Sequence, residues 1–404
     1  MLVKKYVQQF RKIWWESDTH LPQFGRTYSK RDKSSREACL EKLVNSIKSE
    51  QEQSPFGGEV NSETQKKYFS ALRNFFKSAL DFEDDYLDTI LSPAFIESTK
   101  AFIKMSRYFD HSLSMNDIFQ ASRNVWIMNG LQQLLGVPVE LTPAVFAYSM
   151  LYPYSDNYLD NPGISKQNKN IFNKHLSQRL AGKAIIPDNA HEQQIFNLIA
   201  MIEEQYDRSS NPQIFESLLA IHHAQMKSLR LFDHKVSLSE EDVLMISIEK
   251  GGASVLADGY LVAGSLSEPQ RKFLFGYGAY LQLLDDLQDV QEDCDTGLLT
   301  VFSRASKHFP LDTLTNRTFH FGKQVMNFVN CFNGKNSDSF LNLIKKSIVL
   351  LIIEAVGLTD GFYSKSYSRQ IETYSPFRFY VLKKRRYSLS PFRISLMRSL
   401  HQGH

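Results

Sequence analysis

The sequence predicts an all-helical protein, and three observations carry that prediction. Apolar residues recur three and four apart in long segments such as YFSALRNFFKSALDFE (68–83) and FQASRNVWIMNGLQQL (119–134). That spacing lines one face of an α-helix. Runs of strict apolar–polar alternation, the mark of a half-buried strand, are scarce. Helix breakers fall between the periodic segments, so about a dozen helices are expected.

The elements follow in order. The N-terminus, MLVKKYVQQFRKIWW, is basic but is followed by no apolar core or cleavage site of a signal peptide. SPFGG at 54–58 reads as a loop after the first helices. LGVPVELTP (135–143) is a second loop, with Pro143 suited to the first turn of the next helix. NPG at 161–163 ends that helix. PDNA (187–190) precedes EQQIFNLIAMIEEQY. SLSEPQ (265–270) starts a helix expected to run through a cluster of acidic residues. GKNSDS (334–339) is a further surface loop. Three segments result: 1–60, an N-terminal helical segment; 61–370, the helical domain carrying the chemistry; and 371–404, a basic aromatic tail containing Lys383, Lys384, Arg385 and Arg386.

Bulk composition narrows the function classes. The chain has 404 residues, 42% of them hydrophobic, ample for a sizeable core. A formal charge of +3 gives no reason to expect a nucleic-acid partner. Cys39, Cys294 and Cys331 are odd in number and far apart, which suits neither a disulfide framework nor a zinc site. The longest aliphatic run near the C-terminus, Ile348–Ile353, is ended by Glu354, far short of the about 20 apolar residues a membrane span needs. A cytoplasmic location is expected. Peripheral membrane contact stays open for the tail, although a basic tail packed on the body or partly disordered is the preferred reading.

Two acidic clusters are the sharpest features. LQLLDDLQDVQEDCDTG (281–297) holds Asp285, Asp286, Asp289 and Asp293. Asp285, Asp289 and Asp293 are four apart, so on one continuous helix they form a stripe that drifts by about 40° per step. The residues before them, from Phe273 to Leu284, are strongly apolar. Carboxylates rising from an apolar wall need charge compensation, which divalent cations supply. YPYSDNYLDN (152–161) repeats the arrangement: Asp156 and Asp160 are four apart, Asn157 lies beside them, and an apolar helix with Pro153 precedes them. Either cluster alone is a weak signal. Together they predict a carboxylate-lined mouth for Mg²⁺ and an anion above an apolar interior, which describes a prenyl diphosphate.

These motifs resemble those of the class I isoprenoid synthase superfamily, which is all-helical and uses Mg²⁺. Asp156, Asn157 and Asp160 look like its first aspartate-rich motif, with Asn157 departing from the double-aspartate form. Asp285, Asp286 and Asp289 fit its second D-D-x-x-D motif. Asp285, Asp289 and Asp293 have the spacing of the alternative triad, but Asp289 stands for the hydroxyl residue and Asp293 for the glutamate. The resemblance covers two short motifs and the helical body between them. It implies a helical bundle around a central apolar cavity, and three Mg²⁺ ions held with diphosphate.

The same resemblance marks cations for the diphosphate. Lys227 and Arg230 lie three apart in HHAQMKSLRLFD, and Arg230 is placed roughly where terpene synthases carry a diphosphate-sensing arginine. Gly251 and Gly252 would break a helix, and a broken helix there lines the family's pocket, with Lys250 at the break. Arg179 and Arg304 are further candidate anion contacts. Tyr152, Tyr154, Tyr158 and Tyr280 are candidates for the mouth. Adjacent His222 and His223 point about 100° apart on a helix, which gives no support to zinc.

No arginine pair follows the first motif and none lies in the second. The expected reaction is therefore ionisation of one prenyl diphosphate followed by cyclisation or elimination, a lyase reaction with Asp156, Asp160, Asp285, Asp289 and Arg230 as its main residues. The alternatives are a prenyltransferase of elongating or head-to-head type, a non-catalytic isoprenoid binder, and a phosphohydrolase. A homodimer is one candidate for the working unit.

Overall fold

A computed structural model describes residues 2–53, 62–161, 163–232, 237–332 and 337–385. The expected loop at 54–58, the centre of NPG, residues 334–336 of the expected loop at 334–339 and the tail beyond Arg385 lie outside the described residues, as do the side chains of Tyr152 and Asp160; the rest of that last loop, 337–339, is instead the first turn of a helix. Among the described residues the protein is helical, with no strand.

The helices are α1 (Leu2–Glu16), α2 (Lys30–Gln53), α3 (Ser62–Leu80), α4 (Asp84–Ile90), α5 (Pro93–Phe109), α6 (Met115–Leu135), α7 (Pro143–Asp160), α8 (Lys166–Leu180) and α9 (Ala190–Gln205). They continue as α10 (Pro212–Ser228), α11 (Glu240–Ala263), α12 (Glu268–Gln288), α13 (Val290–Thr296), α14 (Val301–Ala305), α15 (Asp312–Met326), α16 (Ser337–Leu358), α17 (Lys365–Tyr374) and α18 (Phe379–Arg385). Short 3-10 turns follow α10, α15 and α16. The count exceeds the expected dozen because one- and two-turn helices such as α13 and α14 carry too little periodicity to be read from sequence. No helix among the described residues is long and apolar enough to cross a membrane.

Local chemistry sets the helix ends. Thr142 caps α7 by accepting from the Val145 N–H, with Pro143 in the first turn as expected. Asn189 caps α9 through the Glu192 N–H. Ser239 with Asp242, and Ser267 with Gln270, form reciprocal capping boxes that start α11 and α12.

Two compact units interleave along the chain. One comprises Met1–Pro22, Leu135–Val137 and Thr142–Gly334; the other comprises Gln23–Leu134, Pro138–Leu141 and the described part of Lys335–His404. The described part of the first 60 residues is thus divided between both. In the first unit α11 and α12 pack along each other, α1 and α15 lie against α12, and α7 and α10 lie against α11. Phe273, Phe275, Tyr280 and Leu283 of α12 are buried, and Phe275 meets Tyr6 and Phe10 of α1 at ring-centroid distances of 5.4 and 5.9 Å. Each such side chain contributes about 1.5–3 kcal/mol.

Gly251 and Gly252 do not break a helix: α11 runs through them without interruption. A Cβ on Gly251 would collide with the Gly278 carbonyl of α12, one on Gly278 with the Gly251 carbonyl, and one on Gly252 with the Phe275 ring. The glycines serve a close helix crossing instead.

Candidate functional site

The apolar helix α12 delivers the second acidic cluster, but the helix does not continue through it. It ends at Gln288, Asp289 adopts φ −96° and ψ 12°, and the chain resumes as α13. The expected stripe of Asp285, Asp289 and Asp293 on one helix is therefore corrected to a cluster across a helix junction. Aspartate is a poor helix former because its short carboxylate competes for backbone groups, and this stretch is rich in it. Asp285 is exposed, Asp289 is partly buried, and Asp286 and Asp293 are each 6% exposed.

Asp286 is fixed from two sides. Gln282, one turn earlier, donates from Nε2 to Oδ1 at 2.9 Å, and Ser247 of α11 donates from Oγ to Oδ2 at 2.9 Å. Burial pushes this carboxyl up to about 7, with Asp285 adding to the rise; the two hydrogen bonds and Lys250 oppose it. Asp293 also rises to about 7, first by burial and then through Asp286, Asp289 and Asp285, while a hydrogen bond from Thr300 Oγ1 at 3.3 Å opposes the shift. Four carboxylates thus repel one another at one junction, two of them out of water. A bound cation would relieve this arrangement.

The donors in this cluster are carboxylate oxygens, which suits Mg²⁺. Cys294, next to Asp293, is occupied elsewhere: its Sγ lies 3.5 Å from Ser306 Oγ and 3.9 Å from the Ser303 carbonyl. Among the described residues, the ligand atoms of these aspartates do not converge in threes tightly enough to enclose one ion. Mg²⁺ commonly takes only one or two carboxylates and completes its octahedron with water and phosphate, so an open arrangement fits it.

The first cluster ends α7. Asp156 is partly buried beside Ser155, whose Oγ lies 3.3 Å from its Oδ1, and Asn157 is exposed. Asp160 is the last residue of the helix. Helix α7 packs against α11, which in turn carries Ser247 and Lys250. Tyr148 on α7 reports this neighbourhood. Burial raises its phenol above the ordinary range, the negative charges of Asp258 on α11 and Asp156 add to the rise, and a hydrogen bond with Ser254 opposes it.

The expected cations separate. Lys250 acts electrostatically on the buried Asp286. Lys227 pairs with Glu249. Arg230, exposed in the turn after α10, acts together with Lys227 on Asp242. That turn is nonetheless tied to the acidic region, since the Leu231 carbonyl accepts from the Leu299 N–H at 3.0 Å, one residue before Thr300. The two further candidate anion contacts have other partners here. Arg179 forms a two-pronged ion pair with Glu203, which Arg208 shares, and Arg304 donates to the Leu238 carbonyl at 2.6 Å. Long cations on a helical surface find local partners that sequence spacing does not display.

The aromatic expectations divide similarly. Tyr280 is core, edge-on to Phe321 and pressed over Gly322. Tyr154 and Tyr158 instead enclose His191, with Tyr158 stacked on it at 4.7 Å and tilted against Phe172 at 4.6 Å. His222 is buried and donates from Nε2 to the Asn173 carbonyl at 3.2 Å, while His223 is exposed. No family model matches the chain, and no curated protein matches it.

Ser247, Gln282, Thr300 and Tyr148 were not singled out from the sequence. Gln282 could have been found, because it stands four residues before Asp286 on the same helix. The other three reach their partners only through tertiary packing.

Proposed function

We propose that this protein is a Mg²⁺-dependent enzyme of the class I isoprenoid synthase type that ionises a prenyl diphosphate, releases diphosphate, and completes the reaction by cyclisation or elimination. The observation that carries the reading is the junction of α12 and α13, where four carboxylates crowd at the end of an apolar helix and two are buried. An arrangement that unfavourable by itself is understandable as a cation site.

Asp285, Asp289 and Asp293 would hold Mg²⁺ on one side and Asp156 with Asp160 on the other, with Asn157 as a neutral oxygen donor. Bound Mg²⁺ supplies charge neutralisation for the leaving diphosphate. Asp286, gripped by Gln282 and Ser247, orients the end of α12 and lends its charge to the site. Lys250 places a fixed positive charge beside the cluster, where the leaving oxygen develops its negative charge. Arg230, exposed after α10 and acting with Lys227 on Asp242, would add positive charge for the bound diphosphate.

The test is product analysis after incubation with Mg²⁺ and prenyl diphosphates of ten carbons upward, offered singly and in pairs, with diphosphate release measured in parallel. A hydrocarbon or alcohol from one substrate supports the proposal. A longer or joined chain that requires two substrates reassigns the protein as a prenyltransferase. Folded protein that releases no diphosphate from any substrate overturns both.

A further inference from the structure

A second cluster of ligating side chains lies away from the aspartate motifs, where α8 leads into α9. His175 is on α8, Asp188 precedes the Asn189 cap, and Glu192 stands in the first turn of α9. One ligand atom from each lies within 4.8 Å of the other two. His175 Nδ1 is 3.2 Å from Glu192 Oε2 and 3.7 Å from Asp188 Oδ2. Tetrahedral bonds of about 2.1 Å place neighbouring donor atoms about 3.4 Å apart, so these two separations bracket the edge of a tetrahedral site.

Charge provides an independent argument. The Glu192 side chain is 3% exposed, and a buried carboxylate needs compensation by positive charge. Among the described residues its ion-pair partner is His175, which also faces Asp188. Two carboxylates against one imidazole leave net negative charge even when the imidazole is protonated. His191, beside Glu192, is engaged elsewhere: its ring is stacked on Tyr158 and packed against Tyr154 and Phe172.

The backbone presets the donors. The Glu192 N–H is held by Asn189 Oδ1 at 3.0 Å, and Glu192 Oε2 accepts from the Asp188 N–H at 2.9 Å. The segment between the helices therefore brings Asp188 to both partners. Asp188 is the exposed member, its side chain 57% accessible, which leaves an open side for water.

We propose that His175, Asp188 and Glu192 form a binding site for one divalent transition-metal ion of the Zn²⁺ class. One imidazole nitrogen and two carboxylate oxygens suit such an ion better than Mg²⁺ or Ca²⁺, which prefer oxygen alone. The bound ion ties α8 to the first turn of α9. Helix α9 packs against α7, the helix that carries Asp156. The site shares no residue with the proposed diphosphate site and does not depend on that reading.

The test is a Zn²⁺ titration of the untagged full-length protein in excess Mg²⁺, followed by Co²⁺ loading as a visible-absorption probe. The wild type is expected to bind one Zn²⁺ tightly and to show a four-coordinate Co²⁺ spectrum. His175→Ala and Asp188→Asn should each weaken Zn²⁺ binding by about tenfold or more. Asp188→Asn alters an exposed side chain, so it decides the matter if His175→Ala does not fold. A wild type that takes up no Zn²⁺, or an Asp188→Asn variant that binds it equally well (an adventitious ion only), overturns the proposal.

Discussion

At Asp286 two neutral donors hold a carboxylate that has lost most of its water. Replacing it by asparagine keeps the shape and removes one of four crowded negative charges. Asp286→Asn should therefore raise the stability of the Mg²⁺-free protein at pH 8 by roughly 2 kcal/mol. It should also weaken Mg²⁺-dependent diphosphate release by at least about tenfold. Melting curves with and without Mg²⁺, set beside turnover, separate the two effects. A variant that is less stable and fully active would remove Asp286 from the site. His222 gives a second prediction. Burial, aided by His223 and opposed by the Asn173 carbonyl, lowers its pKa from 6.5 to about 4. Between those values the unfolded chain takes up a proton that the folded protein refuses. The contribution of His222 is thus fully present above about pH 6.5 and lost as pH falls toward 4, about 3 kcal/mol in all. In His222→Gln the urea midpoint should drop less between pH 7.5 and pH 4.5 than in the wild type, and equal drops would contradict this assignment.

At the scale of elements, the α11–α12 crossing is the most constrained feature of the first unit. Backbone carbonyls of Gly251 and Gly278 occupy the space that side chains would need. Gly278→Ala should destabilise the protein by about 3 kcal/mol or more, because backbone cannot move aside as a flexible side chain can. Gly361→Ala is the control: an added Cβ there meets nothing within 4 Å beyond its own chain neighbours and the nearby backbone of its own helix, so its unfolding free energy should stay within about 0.5 kcal/mol of wild type. Chemical denaturation of the two variants compares them directly. The starts of α7 and α12 were legible from sequence, since Pro143 in a first turn and the SLSEPQ segment at 265–270 are local signals that need no neighbour. The role of Gly251 and Gly252 was not. Two adjacent glycines look alike whether they bend one helix or admit another, and only the position of α12 distinguishes the cases.

At the scale of the molecule, the described residues assigned to the diphosphate site belong to the first compact unit. The second unit has a different anchor. Arg36 is 8% exposed and donates to Asp81 Oδ1 at 2.7 Å and to the Ala79 carbonyl at 2.5 Å, while Tyr28 donates to Asp81 Oδ2 at 2.8 Å. Asp81 itself has a φ of 57° at the end of α3, and Lys346 donates to its carbonyl. Arg36→Met should cost about 3 kcal/mol by leaving a partly buried carboxylate and a helix-end carbonyl short of their donor. Calorimetry checks the loss, and an unchanged transition would show that Arg26 and Tyr28 suffice for Asp81.

The sequence by itself determined the helical class, a few helix ends such as those of α7 and the starts of α9 and α12, and the presence of two aspartate clusters at the ends of apolar helices. Those features depend on periodicity, caps and residue type, which act within a few residues. Tertiary structure decided that Asp289 interrupts the helix, that Asp286 is buried against Ser247, that Lys250 faces the acidic cluster, and that Arg179 is engaged by Glu203. Burial and pairing depend on which helix lies alongside, and residues such as Ser247 and Asp286, 39 positions apart, meet only when α11 and α12 pack together.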